Sequence, residues 1–134
     1  MSPDDLRKFA KEYGEAWSSN DPDQVLALHC ESSRLSVNDN KPAIGKSEIR
    51  KVVEAFMEGF PDLYIHVNEV AVEERGVVFY CNAIATNSGP GGTGNKINIK
   101  IHEIWKFDKS GKFTEVRAYD DPEDFERQLN QRSS

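Results

Sequence analysis

The sequence predicts an α+β domain in which a curved antiparallel sheet wraps around helices. Apolar side chains recur at helical spacing in the first half of the 134-residue chain. In the second half the period changes to segments rich in β-branched and aromatic residues, separated by turn-forming residues. A sheet curved in this way encloses a pocket on its inner side. We expect residues 1 to 134 to form one domain, because no repeat, charge block or linker-like stretch divides them.

Three helices are predicted in the first half. The first begins at Ser2-Pro3, where Ser can cap free backbone amides and Pro suits the first turn, and it runs for about four turns. The second begins after Asn20-Asp21-Pro22 and extends to His29. The third carries an apolar stripe from position 49 to position 60 and ends before Pro61.

Four strands are predicted in the second half, with a shorter strand before the third helix. The longest connection between them is the Gly-rich segment 88–95. It joins two strands and lacks the sequence context of a phosphate loop, so we interpret it as a hairpin connection. The four strands are expected at 63–72, 77–87, 96–107 and 113–119, and the shorter one around 34–38.

Composition and charge exclude several classes of protein. The chain carries 17 basic and 23 acidic residues, a net charge of −6 that argues against a nucleic-acid-binding protein of the usual basic kind. The N-terminal segment has acidic residues and no apolar run, so no secretory signal is expected. No segment approaches the roughly 20 apolar residues of a membrane span. We therefore expect a cytoplasmic protein, with Cys30 and Cys81 as reduced, partly buried thiols.

Glu103 breaks the pattern of its strand. The odd positions from 97 to 107 are otherwise apolar, so alternation places Glu103 on the apolar face. A carboxylate there must be paired, protonated or beside a wet cavity, because an unpaired buried charge costs on the order of several kcal/mol. Glu103 is therefore the first candidate site residue. The structural alternatives are a bulge that shifts the phase and an ion pair with Arg117.

Two other polar residues are candidates because of their positions. Tyr13 lies on the apolar stripe of the first helix, and its buried hydroxyl needs a hydrogen-bond partner. If Tyr13 is only a core residue, that partner is a backbone carbonyl group. Asp120 alternates with Ala118 and precedes the helix start at Asp121-Pro122. On the rim of the pocket Asp120 would exchange protons, and otherwise it is a solvated strand end.

Three short motifs support a family resemblance. They are Asn20-Asp21 after the first helix, Gly45 before the third, and Gly111-Lys112-Phe113-Thr114-Glu115-Val116 near the C-terminus. Together they resemble the nuclear transport factor 2-like superfamily over nearly the whole chain, and within it the ketosteroid isomerases and the SnoaL-like polyketide cyclases. Those enzymes act on polycyclic ketones and esters in a cone between helices and sheet. The resemblance implies the same fold and a homodimer formed by the outer face of the sheet.

The resemblance also implies roles for individual residues. Tyr13 matches the isomerase tyrosine that donates to an oxyanion, and Glu103 matches the second donor, which is a protonated acid. Asp39 is the carboxylate at the place of the isomerase general base. Asp120 lies eight residues after the Gly-Lys pair, where the cyclases have their acid, and Asn87 replaces a histidine that is frequent in the cyclases.

Three functions remain open at this point. The first is cofactor-free proton transfer next to a carbonyl, as an isomerase, cyclase or lyase, with Asp120 or Asp39 as the base and Tyr13 and a protonated Glu103 stabilising the enolate. The second is a non-catalytic ligand-binding or dimerisation module. The third is hydration or epoxide opening in the same cone, where Asp120 together with Arg117 and Asn87 positions a water.

The expected ligand is a hydrophobic small molecule in a mainly apolar pocket. No cofactor is expected, and no metal, because the three histidines show no metal-binding spacing. Nucleic acid and membrane are not expected partners. Besides the four candidate catalytic residues, the predicted lining comprises Phe9, Trp17, His29, Phe56, Asn87, Ile101 and Trp105.

Overall fold

Four helices and six strands make up residues 1–131, the part of the chain that the computed structural model describes. Within this part, no helix is long and apolar enough to cross a membrane. The helices are α1 (Pro3–Ser18), α2 (Pro22–Leu26), α3 (Lys46–Gly59) and α4 (Pro122–Leu129). The strands are β1 (His29–Val37), β2 (Ala43–Ile44), β3 (Tyr64–Glu73), β4 (Gly76–Thr86), β5 (Lys96–Phe107) and β6 (Phe113–Tyr119).

The start of α1 follows the predicted capping signal. The Ser2 hydroxyl accepts a hydrogen bond from the Asp5 backbone N–H, and the Asp5 carboxylate accepts one from the Ser2 N–H. The apolar face of the helix packs mainly against β3. Gly14 allows this close approach, because a Cβ at position 14 would lie 2.9 Å from Cγ2 of Val67. The first predicted helix is therefore confirmed.

The six strands form one curled sheet in the order β2-β1-β6-β5-β4-β3. The sheet is mixed, and the expectation that it is antiparallel throughout is wrong at one pair. β1 runs parallel to β6, with residues 34–37 beside residues 115–118. The other pairs are antiparallel. Local patterns reveal hairpins, whereas a parallel pair joins segments far apart in the chain and leaves no local signal.

The second predicted helix extends too far. α2 ends at Leu26, and His29 already belongs to β1, where it pairs with Phe113 of β6. The Phe113 N–H also donates to the Leu28 carbonyl oxygen at 2.8 Å. The strand predicted around 34–38 is thus the second part of a longer strand, whose register shifts between His29 and Arg34. Pairing with a distant strand overrides the helical preference of this segment.

The three consecutive hairpins from β3 to β6 confirm the predicted second half. The segment 88–95 connects β4 to β5, as expected. Gly89 lies in this connection, where a Cβ would collide with the Glu58 carbonyl oxygen. Register shifts occur between Val67 and Glu69 and between Lys106 and Phe107. Bulges of this kind bend a sheet and increase its twist, which helps the sheet to curl.

Two elements were not among those predicted. β2 is only two residues long and pairs at the edge of the sheet with β1. α4 follows the cap at Asp121, whose carboxylate accepts from the Glu123 and Asp124 backbone N–H groups. The sequence shows this start signal clearly, but the helix after it is short and has no fully buried residue.

The core lies between the helices and the concave face of the sheet. Its largest cluster is aromatic, with the rings of Phe9, Phe79, Trp105 and Phe113 packed edge to face or stacked at centroid distances of 4.7 to 5.5 Å. The second cluster lies under α4 around Phe60 and Ile97. Both cysteines are free thiols, with Cys81 buried and Cys30 half-buried. The open space between the two clusters is the candidate site.

Candidate active site

A cavity of about 320 Å³ lies between the concave face of the sheet and the helices α1, α3 and α4. Its mouth is marked by the exposed side chains of Val37, Val52 and Pro122. Its deep end is closed by Phe79 and Cys81, which are 0% and 3% exposed. Within residues 1–131, no lysine, arginine or histidine lines this cavity. The walls are therefore apolar, and the charged groups among them are carboxyl groups.

Glu103 lies at the deep end, where alternation along β5 directs it inward. The Tyr13 hydroxyl donates to Oε1 of Glu103 at 2.7 Å, and the Trp105 Nε1–H donates to the same oxygen at 2.9 Å. Glu103 is 8% exposed and Tyr13 is 3% exposed. The two structural alternatives do not apply, because β5 keeps its register at Glu103 and Arg117 pairs with Asp39 instead, at 3.2 Å.

Burial decides the protonation preference of this pair. It raises the pKa of Glu103 above its ordinary value, and the hydrogen bonds from Trp105 and Tyr13 oppose that shift only in part. Burial and the neighbouring Glu103 also raise the pKa of Tyr13 well above its usual range, so the phenol remains a donor. Both groups are therefore biased toward their neutral forms.

The second oxygen of Glu103 is directed at the cavity. Among residues 1–131, no side chain or backbone group donates a hydrogen bond to Oε2. In the same part of the chain no fully buried side-chain polar atom lacks a hydrogen-bond partner. Oε2 must therefore retain contact with the cavity space, since Glu103 is one of the residues that line it. When Glu103 is protonated, this oxygen carries the proton that a ligand can accept.

Asp120 lies at the mouth, directly after β6. It is half-buried and lines the cavity together with Asn38. Two hydrogen bonds join these residues: Asn38 Nδ2–H donates to Oδ1 of Asp120 at 2.6 Å, and the Asp120 backbone N–H donates to Oδ1 of Asn38 at 2.9 Å. Asn38 has φ of 52°, a left-handed conformation that Asn tolerates better than most residues. The turn after β1 thus fixes the orientation of the Asp120 carboxylate.

The sheet register places the two acidic residues on the same face. Glu103 is paired with Ala118 across β5 and β6. Asp120 is two residues beyond Ala118, so it shares the concave face and is a diagonal neighbour of Glu103. The Cα atoms of diagonal neighbours in a sheet lie about 7–8 Å apart, within reach of one ligand for two acidic side chains. One acid at the deep end and one at the mouth can therefore contact the same small molecule.

The structure brings six of the predicted site residues together around the cavity. They are Tyr13, Trp17, Phe56, Ile101, Glu103 and Asp120. Trp17 and Phe56 form an edge-to-face pair with ring centroids 6.1 Å apart, on the side of the cavity that α1 and α3 provide. Reasoning from strand alternation and helical stripes therefore identified both carboxyl groups and part of the apolar wall.

Two aromatic residues lie behind the cavity and not in its wall, which corrects the expectation for both. Trp105 shares the face of Glu103 and is 1% exposed, because its ring is enclosed by Phe9, Phe79 and Phe113. Phe9 lies one helical turn before Tyr13 and fills the same cluster. Alternation and helical spacing predict which face a residue lies on. They do not predict whether it lines the cavity or is buried in the core behind it.

Three polar residues also lie outside the lining, contrary to expectation. His29 is buried beside Ser33, with Nδ1 2.8 Å from Oγ, and burial lowers its pKa to about 4. Asn87 belongs to the connection between β4 and β5, where it donates to the Gly59 carbonyl oxygen. Asp39 is exposed, and the hydrogen bonds that it accepts from Tyr119 and Arg117 lower its pKa. Each has a partner that explains its position.

Sequence reasoning missed two residues of the site. Asn38 was not predicted, because its contact with Asp120 depends on the pairing of β1 with β6, although an Asn followed by an Asp does indicate the turn itself. Phe125 lines the cavity from α4, an element that was not predicted. Within residues 1–131 no three or more His, Cys, Asp or Glu side chains are grouped so that they could hold a metal ion.

Comparison with known proteins places this geometry in a family context. The model of the SnoaL-like polyketide cyclase family matches residues 7–129. Among curated proteins, none matches the sequence significantly.

Solved structures share the fold over almost the whole chain. A protein from Jannaschia sp. CCS1, named as a SnoaL-like polyketide cyclase, has a TM-score of 0.83 at 20% identity and covers 99% of this chain and 98% of its own. A protein with a ketosteroid isomerase-like fold from Catenulispora acidiphila DSM 44928 has a TM-score of 0.77 at 9% identity, covering 89% of each chain. SalBIII, an epoxide hydrolase/cyclase-like enzyme of pyran ring formation in salinomycin, has a TM-score of 0.77 at 16% identity, covering 92% of this chain and 97% of its own.

Proposed function

The chain belongs to the SnoaL-like polyketide cyclase family, within the nuclear transport factor 2-like superfamily that its motifs predicted, and on this premise we propose that its cavity is an active site. The proposed reaction is cofactor-free proton transfer next to the carbonyl group of a hydrophobic compound. Such a reaction underlies both isomerisation and ring closure. It needs an acid that stabilises a developing enolate oxygen and a base that removes a proton from the neighbouring carbon.

The observation that carries the proposal is the environment of Glu103. Tyr13 and Trp105 both donate to Oε1, and burial raises the pKa of the carboxyl group. We propose that Glu103 carries a proton on Oε2, the oxygen that faces the cavity. A neutral carboxylic acid in an apolar site is a strong hydrogen-bond donor to an oxyanion, because little water competes for its proton. Tyr13 then supports the acid and does not contact the ligand oxygen itself.

Asp120 supplies the proposed base. It lies on the same face as Glu103 but at the mouth, where the Asn38 amide fixes its orientation. In the first step the Asp120 carboxylate takes a proton from the carbon next to the carbonyl, and the resulting enolate oxygen accepts the hydrogen bond from Glu103. In the second step Asp120 either returns the proton to another carbon of a conjugated enolate, or the enolate carbon attacks a second carbonyl carbon of the same molecule, whose C=O π bond opens and whose oxygen takes the proton from Asp120. The first outcome is isomerisation and the second is cyclisation.

The apolar walls support an uncharged ligand. The part of the lining that the structure describes contains no cationic side chain, so an anionic ligand would be desolvated beside two carboxyl groups without compensation. Trp17, Phe56 and Ile101 contribute apolar surface to the same lining, and the first two are aromatic. A ketone or ester with an aromatic or alicyclic body matches these features.

The proposal is tested by hydrogen exchange next to a carbonyl. In D₂O, proton NMR follows the loss of the signal from the acidic CH₂ group of 2-tetralone. We expect the protein to accelerate this exchange and 2-naphthol, an enolate mimic, to inhibit it competitively. Exchange at the buffer rate, with 2-naphthol still bound according to Trp17 fluorescence, would reject catalysis and favour the ligand-binding module.

Epoxide opening is a second candidate, favoured by the placement of two carboxyl groups in the lining of one cavity. An acid and a base in one cavity can act on the same small molecule, one on the epoxide oxygen and the other on a water. The solved structure of SalBIII, an epoxide hydrolase/cyclase-like enzyme, shares the fold. Glu103 would protonate the epoxide oxygen, while Asp120 would take a proton from the attacking water or hydroxyl. Hydrolysis of styrene oxide to its diol, with no exchange of 2-tetralone, would select this reaction.

A further inference from the structure

The short helix α4 completes an unpaired edge of the sheet. β6 pairs with β5 only from His102 onward, so among residues 1–131 the first half of β5 has no strand on that side. There the Gln128 side chain takes the place of a strand. Its Oε1 accepts from the Asn98 backbone N–H at 2.7 Å, and its Nε2–H donates to the Asn98 carbonyl oxygen at 3.1 Å. One carboxamide thus makes both hydrogen bonds that a neighbouring strand would make.

Both ends of α4 are fixed in a similar way. Asp121 caps the first turn, and the Asn95 Nδ2–H donates to the Leu129 carbonyl oxygen at 2.7 Å. These contacts set the position of the helix along β5. They do so with little apolar burial, since α4 has no fully buried residue.

The fixed helix places Phe125 in the wall of the cavity. Phe125 and Pro122 line the cavity from α4, while Val52 and Phe56 line it from α3. The Phe125 ring also packs on Phe60 of the second core cluster, with centroids 6.1 Å apart. The ring therefore stands between the cavity and that cluster, on the wall that α4 provides.

We infer that Phe125 is a specificity-determining residue that limits how far a ligand bound at Glu103 extends toward α4. This inference rests on the proposed function only in that the cavity holds a ligand whose oxygen is bound by Glu103. A ligand that is short enough fits between Glu103 and the Phe125 ring. A longer ligand must displace the Phe125 ring or lose its hydrogen bond to Glu103.

Leu129 provides a matched control on the same helix. It is half-buried and packs on the same core cluster as Phe125, but it does not line the cavity. A general loosening of α4 would follow from truncation of either residue. A change in the cavity wall follows only from truncation of Phe125.

The test uses straight-chain phenyl ketones from acetophenone to octanophenone. Their affinities are measured by displacement of 2-naphthol, with circular dichroism to verify that each variant is folded. In the unmodified protein, affinity should rise roughly fourfold for each methylene until the chain reaches Phe125, and then level off. Phe125→Ala should move the levelling point to a ketone about two or three carbons longer. Phe125→Trp should move it to a shorter ketone, and Leu129→Ala should leave it unchanged.

Three outcomes would overturn the inference. The first is a levelling point in both Phe125 variants that equals that of the unmodified protein. The second is an equal shift in Leu129→Ala, and the third is that none of the ketones displaces 2-naphthol. Failure of the proposed function is a different result. In that case the ketone series still binds with the expected length limits, but the protein does not accelerate exchange of 2-tetralone.

Discussion

The deep end and the mouth of the cavity each contain one carboxyl group, and they differ in every contact that surrounds it. Glu103 is buried, accepts two hydrogen bonds on Oε1, and has a pKa raised by burial. Asp120 is half-buried and accepts on Oδ1 from the Asn38 amide at the edge of bulk solvent. The same functional group thus occurs twice on one face of the sheet, once buried and once half-buried at the mouth of the cavity.

The difference shows how one pocket can hold an acid and a base without a cofactor. Burial favours the neutral form of the Glu103 carboxyl group. In the proposed function Glu103 is therefore the donor and Asp120, at the mouth, is the acceptor. Variants at the two positions should then change different observables.

The largest effect is expected at the mouth. Asp120→Asn removes the proposed base but keeps the shape of the side chain, so the rate of 2-tetralone exchange should fall by about 10²- to 10⁴-fold. The dissociation constant for 2-naphthol should change less than about threefold. The matched control is Asp121→Asn, because Asp121 caps α4 and does not line the cavity, and Asn is an equivalent cap. Loss of exchange in both variants would remove Asp120 from the mechanism.

Substitution at the deep end should weaken the binding of 2-naphthol more than Asp120→Asn does. Glu103→Leu removes the proposed donor and leaves the Tyr13 hydroxyl and the Trp105 N–H unpaired. We expect 2-naphthol to bind about 10- to 100-fold more weakly, and the free energy of unfolding to fall by roughly 2–4 kcal/mol.

Glu103→Gln is the control for this variant. Its amide oxygen can accept from Tyr13 and Trp105, while its NH₂ group still presents a donor to the cavity. Binding of 2-naphthol should therefore weaken only a few-fold. Equal losses in the Leu and Gln variants would show that the cavity does not use Glu103 as a donor.

The pH dependence of the free energy of unfolding tests whether folding raises the pKa of Glu103. Its pKa is raised in the folded protein, so between the ordinary value of 4.5 and the folded value the unfolded chain releases a proton that the folded chain keeps. Stability contributed by this group therefore falls as the pH rises, by up to about 1.4 kcal/mol per pH unit. Denaturant unfolding at several pH values should show this slope as the difference between the unmodified protein and Glu103→Gln.

His29 gives the opposite slope and cancels in that difference. Its pKa is lowered from 6.5 to about 4 by burial, so stability from His29 rises with pH between those values in both proteins. A difference curve that is flat above pH 4.5 would mean that folding does not raise the pKa of Glu103.

The smallest effect is expected from the turn that orients Asp120. Asn38→Gly keeps the left-handed backbone, which Gly adopts without strain, and removes the amide that donates to Asp120. The rate of 2-tetralone exchange should fall about three- to tenfold, while the free energy of unfolding changes by less than about 1 kcal/mol. An unchanged rate would show that Asn38 does not position the carboxylate.

The sequence predicted the deep end better than the mouth, for physical reasons. Glu103 was conspicuous because a carboxylate in an apolar alternation must have an explanation, and Tyr13 because of its place in a helical stripe. Asp120 was identified from a strand end and from the spacing after the Gly-Lys pair. Asn38 was missed because its role depends on the parallel pairing of β1 with β6, which no local pattern reveals.

The errors in the predicted lining have a common origin. Trp105 and Phe9 were assigned to the correct face, yet they fill the core behind Glu103. His29 was assigned to a helix, although its segment is drawn into β1 by pairing with Phe113. Periodicity gives the direction of a side chain, whereas the depth of the cavity depends on how distant segments pack together.

The central claim is that Glu103 is a protonated donor facing the ligand cavity. Carbon-13 NMR of protein labelled at the glutamate carboxyl groups tests it most directly, with Glu103→Gln to assign the resonance. If Glu103 is protonated, its carboxyl carbon retains the chemical shift of a protonated acid at neutral pH, and this shift changes when 2-naphthol binds. A Glu103 resonance that titrates at the ordinary glutamate value and does not respond to 2-naphthol would exclude this role for Glu103.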